Sequence, residues 1–117
     1  MQIKEYMELS ERTFPKLDKI FQDEVHMLFG MITEVGELID GYKKELAYNK
    51  HLDTVNVKEE IGDLMWYIAN FCRMNGFDLE EILDTNIAKL RARYPEKFTE
   101  EKAINRDLDK ETQILEK

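Results

Sequence analysis

Two pairs of acidic residues lie within sequence that is otherwise patterned for helices: Glu34 with Glu37, and Glu60 with Asp63. A helix turns by about 100° per residue, so carboxylates three positions apart point from nearly the same face. Both pairs fall where an apolar stripe should face a core. Four carboxylates between helices repel one another and resist desolvation, and a divalent cation would offset both costs. The pairs therefore indicate a metal site in a helical bundle.

Apolar residues repeat at intervals of three and four along most of the chain, which is typical of amphipathic helices. We predict helices over about residues 3–13, 23–48, 56–74 and 78–94, and a last weak helix after Thr99. Residues 49–55 form a polar connection, and no segment has strand-like alternation. The predicted fold class is therefore all-α, a four-to-five-helix bundle. The length of 117 residues predicts a single domain over 1–117, with residues 103–117 as a C-terminal helical tail.

The predicted helix ends rest on local signals. Asn56, with Glu59 three residues later, is the expected N-cap of the third helix, and Asp78 that of the fourth. Asn75 and Gly76 form the stop between these two helices. Pro95 closes the fourth helix.

The charge and composition exclude several classes of protein. A net charge of −8 disfavours binding to a nucleic-acid backbone. No apolar stretch is long enough to cross a membrane, and the acidic N-terminal segment is no signal peptide. The lone Cys72 allows no internal disulfide and is expected to be a small buried hydrophobic residue. We expect a cytoplasmic protein.

Ligands that are all oxygens favour a hard cation, Mg²⁺ or alternatively Mn²⁺. No cluster of Cys and His supports zinc, and His26 is expected to be a surface or packing residue. The alternative for the acidic pairs is a solvated helix face. Gly30 and Gly41 flank the first pair at four-residue spacing and leave room either for a ligand or for a closely packed helix.

The fourth predicted helix carries a basic strip, Asn86, Lys89 and Arg93, spaced three and four residues apart. Lys and Arg bind phosphate oxygens, so such a strip, together with a metal, suits a polyphosphate. The alternative is a solvated basic face.

Residues 33–44, 59–67 and 86–107 together resemble the MazG-like all-α nucleoside triphosphate pyrophosphohydrolases. The resemblance spans about residues 5–110. Its pattern is Glu-x-x-Glu, a gap, Glu-x-x-Asp, then Asn-x-x-Lys and Arg-Tyr-Pro. The family usually has a further Glu where this chain has Thr33, a departure that leaves the four core acids in place.

The resemblance implies helical protomers that form homodimers or homotetramers, Mg²⁺ dependence, and cleavage of a (deoxy)nucleoside triphosphate to the monophosphate and pyrophosphate. It also implies a role for each matching residue. The implied metal ligands are Glu34, Glu37, Glu60 and Asp63, and the implied phosphate-binding residues are Asn86, Lys89 and Arg93.

Within that reaction, Glu34 or Glu37 is the expected base for an attacking water. Trp66 or Tyr67 is expected either to stack on the nucleotide base or to pack within the protein. Two other functions stay open: a non-catalytic oligomeric module that binds nucleotide or metal, and an enzyme acting on a modified nucleotide or on phosphoribosyl-ATP.

Overall fold

The computed structural model describes residues 1–117 and is entirely helical, with no strand. A short 3₁₀ turn over Glu11–Thr13 follows the first helix. The six helices are α1 Ile3–Ser10, α2 Ile20–Tyr48, α3 Thr54–Met74, α4 Leu79–Arg93, α5 Glu100–Ile104 and α6 Leu108–Glu116. The all-α prediction is confirmed.

The helices form two compact units, residues 1–77 with α1 to α3 and residues 78–117 with α4 to α6. In the first unit α2 and α3 pack against each other, and α1 packs on α3. In the second unit α6 packs on α4. The single domain expected for residues 1–117 stays a prediction.

The core of the first unit combines apolar packing with one polar anchor. Met27, Ala69 and Cys72 are buried, and burial raises the pKa of the Cys72 thiol, in line with the expected packing role. Asn70 is 0% exposed, and its amide donates to the backbone oxygens of Ser10 at 3.3 Å and Trp66 at 3.1 Å. These bonds satisfy the buried amide and tie the end of α1 to α3.

The N-cap predicted for α3 was wrong. Asp53 caps this helix, and its side chain accepts from the backbone N–H groups of Val55 at 3.0 Å and Asn56 at 3.2 Å. Asp53 is an equally good cap, and it adds part of a turn to the helix. The stop was placed correctly: α3 ends at Met74, Asn75 is its C-cap, and Gly76 adopts a positive φ of 69°.

The caps in the second unit follow the sequence more closely. Asp78 caps α4 as predicted, and Thr99 caps α5 through the N–H of Lys102. The single last helix was wrong, because α5 ends at Ile104 and a separate helix, α6, begins after a new cap at Asp107. Asp107 supplies the side-chain acceptor that a second helix start requires.

Helix α2 exposes much of its apolar surface. Phe29 and Ile32 are 64% and 69% exposed, and further large apolar residues lie along the same helix. They include Leu28, Val35, Ile39, Tyr42 and Leu46. Packing in the first unit therefore covers only part of the apolar surface of α2. None of the helices has the combination of length and apolar character that a membrane span requires.

Candidate metal centre

Helices α2 and α3 bring together three of the four predicted metal ligands. Glu34 and Glu37 project from α2 and Glu60 from α3, and each offers a carboxylate oxygen within 4.8 Å of the others. The three-residue spacing within α2 and the packing of α2 on α3 produce this convergence. Three oxygens at this separation can bind one cation together.

The fourth predicted ligand, Asp63, is exposed on α3 and lies outside this group of three. Its charge still reaches the site, since it is one of the smaller contributions that raise the pKa values of Glu37 and Glu60. Asp63 therefore borders the cluster formed by Glu34, Glu37 and Glu60.

The cluster is electrostatically unsatisfied. Glu60 is 7% exposed, and one oxygen each of Glu34 and Glu60 (Oε2) is buried without a hydrogen-bond partner. The pKa of Glu60 is raised, mainly by hydrogen bonding with Glu34 and secondly by burial. The pKa of Glu37 is also raised, mainly by hydrogen bonding with Glu60 and secondly by the Glu60 charge. A hydrogen bond between carboxyl groups needs a proton on one of them, so three ionised carboxylates have no donor to share.

This donor set fits a hard divalent cation. Ionised carboxylates offer only acceptors, and no Lys or Arg forms an ion pair with Glu34, Glu37 or Glu60. A cation such as Mg²⁺ or Mn²⁺ would satisfy the unpaired oxygens and remove the repulsion. His26 lies outside the cluster. Its ring packs edge-on against Tyr67, with 6.3 Å between the ring centroids, in agreement with a packing role.

The two aromatic residues near the cluster are engaged in packing. The Tyr67 ring occupies the space above Gly30, where an added Cβ would overlap it, so the missing side chain at Gly30 permits close helix packing. Trp66 donates from Nε1 to the Thr13 hydroxyl at 2.8 Å. Its ring packs edge-on against the Tyr67 ring, with 5.0 Å between the ring centroids. Stacking of either ring on a nucleotide base stays a prediction.

Two further side chains border the site. Thr33, where the family pattern usually has an acid, donates its hydroxyl to the Gly30 carbonyl at 3.0 Å and so bonds within its own helix. Tyr6 of α1, which sequence reasoning missed, donates to the Gly62 carbonyl at 3.3 Å. Burial and then the Asp63 charge raise the pKa of Tyr6. The pattern of α1 did not reveal on which helix it would dock.

The predicted phosphate-binding residues lie on α4 in the second unit. Asn86 is exposed and Lys89 is half-buried, and neither side chain has a protein partner. Arg93 donates from Nε to Glu111 Oε1 at 2.6 Å. Arg106 donates to Glu111 Oε2 from Nη2 at 2.7 Å and from Nε at 3.0 Å. Sequence reasoning missed Glu111, which looked like one more acid in a polar tail.

The sequence matches a known protein family. The profile of the MazG nucleotide pyrophosphohydrolase domain matches residues 22–98, a range that contains the acidic cluster, Asp63 and the basic strip. No curated protein and no solved structure matches the chain significantly. Because the matched range covers more than half of the 117 residues, and the fold is all-α as the family requires, this chain belongs to the MazG nucleotide pyrophosphohydrolase family.

Proposed function

We propose that this protein hydrolyses a (deoxy)nucleoside triphosphate to the nucleoside monophosphate and pyrophosphate in a Mg²⁺-dependent reaction. The observation that carries the proposal is the cluster of Glu34, Glu37 and Glu60, whose carboxylates converge with two buried oxygens unpartnered. A buried polar atom without a partner is costly, so its retention favours a ligand at that place. Membership of a pyrophosphohydrolase family supports a metal that serves phosphate chemistry.

In this proposal Glu34, Glu37 and Glu60 hold Mg²⁺, with Asp63 as the fourth ligand. When bound, Mg²⁺ supplies a water of lowered pKa and charge neutralisation for the phosphates. Glu34 or Glu37 accepts the proton of the attacking water.

The residues of α4 carry the phosphate-binding part of the proposal. Lys89 has no protein partner, so its ammonium group is free to bind a phosphate oxygen. Asn86 offers two amide donors from an exposed position. Together with Arg93, these side chains would offset the negative charge on the triphosphate and on the leaving pyrophosphate.

The exposed apolar side of α2 supports a homodimer or homotetramer. Monomeric proteins rarely leave a continuous apolar surface of this kind in water. Phe29 and Ile32 lie on the helix that carries two of the proposed ligands, Glu34 and Glu37. Self-association through α2 would therefore also rigidify the metal centre.

The test is a panel of nucleoside triphosphates scored for pyrophosphate release with Mg²⁺ and with EDTA. The wild type is expected to release pyrophosphate from at least one nucleotide only when metal is present. Glu37→Gln is expected to lose roughly 100-fold or more of this activity, since it removes a charged ligand without changing the shape of the side chain. Glu45→Gln, an exposed position on the same helix, is the matched control and should keep wild-type activity.

Circular dichroism of each variant checks that the helices form. Full activity in a folded Glu37→Gln variant would remove the metal-centre assignment. Metal binding without hydrolysis of any nucleotide would instead favour the non-catalytic module.

A further inference from the structure

Glu111 is a buried carboxylate that the proposed metal centre does not use. It lies on α6, beyond the residues 22–98 that match the family, and it is 3% exposed. Both of its oxygens are satisfied, Oε1 by Arg93 at 2.6 Å and Oε2 by Arg106 at 2.7 Å. A buried carboxylate paired through both oxygens holds its partner side chains in a fixed orientation.

For Arg93 the effect is a fixed orientation. The bond from Nε holds one edge of the planar guanidinium group, and the side chain as a whole is 16% exposed. The two terminal nitrogens, Nη1 and Nη2, are bound to no carboxylate, and the side chain beside them is Tyr94, whose ring centroid lies 5.7 Å from the guanidinium carbon. An arginine held through Nε has already lost most of its rotamer freedom, and its terminal nitrogens are the pair that binds an oxyanion.

The charge balance keeps Arg93 able to attract an anion. One carboxylate, Glu111, faces two guanidinium groups, so one positive charge in this cluster is uncompensated. Lys89 lies four residues before Arg93 on α4 and has no ion-pair partner. The face of α4 around Arg93 is therefore positively charged in spite of the buried ion pair.

We propose that Glu111 is a positioning residue, which orients the Arg93 guanidinium so that its terminal nitrogens are presented to substrate phosphate. This inference rests on the proposed function, because it takes the Arg93 ligand to be a phosphate of the nucleotide. The C-terminal helix α6 thereby acts on the reaction through Arg93 without touching the substrate.

The rival explanation is that Glu111 only fastens α6 to α4. Arg106→Gln separates the two, because it breaks the same buried ion cluster but leaves the Arg93–Glu111 bond in place. A fastening role predicts that Glu111→Gln and Arg106→Gln behave alike. A positioning role predicts that both lower the melting temperature, whereas Glu111→Gln weakens phosphate binding much more than Arg106→Gln does.

The experiment uses the full chain and two readouts measured well below the melting temperature. These are the KM for a hydrolysed triphosphate and the affinity for inorganic pyrophosphate, by calorimetric titration with Mg²⁺. Glu111→Gln is expected to raise KM and weaken pyrophosphate binding by roughly 10- to 100-fold. Arg106→Gln should weaken pyrophosphate binding only about 2- to 3-fold, because it removes one positive charge but leaves the Arg93–Glu111 bond in place. The exposed Glu116→Gln should bind pyrophosphate as the wild type does. In an Arg93→Ala background, Glu111→Gln should have no further effect on pyrophosphate affinity.

Wild-type pyrophosphate affinity in Glu111→Gln, or an equal loss in Arg106→Gln, would overturn the inference. If Glu111→Gln does not fold, Glu111→Asp replaces it, because the shorter side chain keeps the charge and displaces the oxygens. This variant should fold and still bind pyrophosphate more weakly. A wild type that hydrolyses no nucleotide contradicts the proposed function, whereas the pyrophosphate titrations still decide the role of Glu111.

Discussion

Each unit of the molecule contains one buried glutamate, and the two have opposite surroundings. Glu111 in the second unit has both oxygens bound by arginines, which lower its pKa through hydrogen bonds from Arg93 and then Arg106. Glu60 in the first unit faces two more carboxylates and leaves one oxygen unpartnered, and its pKa is raised. Burial alone therefore does not mark a functional acid, because the neighbouring groups decide whether the buried charge is satisfied within the protein.

The two clusters also differ in their effect on stability. The ion cluster at Glu111 is complete within the protein, so it can fix α6 on α4 in the absence of any ligand. Repulsion within the cluster of Glu34, Glu37 and Glu60 opposes the packing of α2 on α3, and the proposed cation would remove that repulsion. A local conflict of this kind is expected at a functional site and is unfavourable elsewhere.

The largest expected effect is that two matched substitutions, Glu60→Gln and Glu111→Gln, change the melting temperature in opposite directions. In EDTA at pH 8, Glu60→Gln should raise the melting temperature by several degrees, because a neutral amide removes repulsion and donates to the remaining carboxylates. Under the same conditions Glu111→Gln should lower it by several degrees, because two guanidinium groups lose their counter-ion. Thermal unfolding followed by circular dichroism measures both. A melting temperature that falls equally in the two variants would show that both glutamates are structural.

A smaller expected effect is the pH dependence of the stability that Glu111 contributes. The folded pKa of Glu111 lies below the ordinary value of 4.5, so its carboxylate adds stability that is present above pH 4.5 and is lost as pH falls through the folded value. The difference in free energy of unfolding between wild type and Glu111→Gln should thus be constant from pH 7 to about pH 5 and shrink below it. Urea unfolding at a series of pH values measures this difference. A difference that grows as the pH falls would contradict the ion pairing.

The sequence was sufficient for the features that depend on short spacing. Glu34 and Glu37 share a face of α2 because they lie three residues apart, and the apolar repeats predicted α2 and α3. The stop at Asn75 and Gly76 was equally local. The start of α3 was missed because Asp53 and Asn56 are both good caps, and only the backbone path selects one of them.

Features that depend on docking between helices could not be read from the sequence. Glu111 meets Arg93 across 18 positions of the chain, and this contact exists only when α6 packs on α4. The fit of Tyr67 against Gly30 likewise requires the register between α3 and α2. The exposed position of Asp63 has the same origin, since the helix spacing places Asp63 beside Glu60 without fixing which way its carboxylate turns.

Metal binding by the acidic cluster can be measured in a Mn²⁺ titration, with free Mn²⁺ quantified by electron paramagnetic resonance after each addition. A metal centre at Glu34, Glu37 and Glu60 predicts saturable binding to the wild type, near-complete loss of that binding in Glu60→Gln, and wild-type binding in Glu111→Gln. It also predicts that Mg²⁺ competes with Mn²⁺ for the site. Equal Mn²⁺ binding by the wild type and Glu60→Gln, or no binding by the wild type, would contradict the assignment of the cluster as a metal centre.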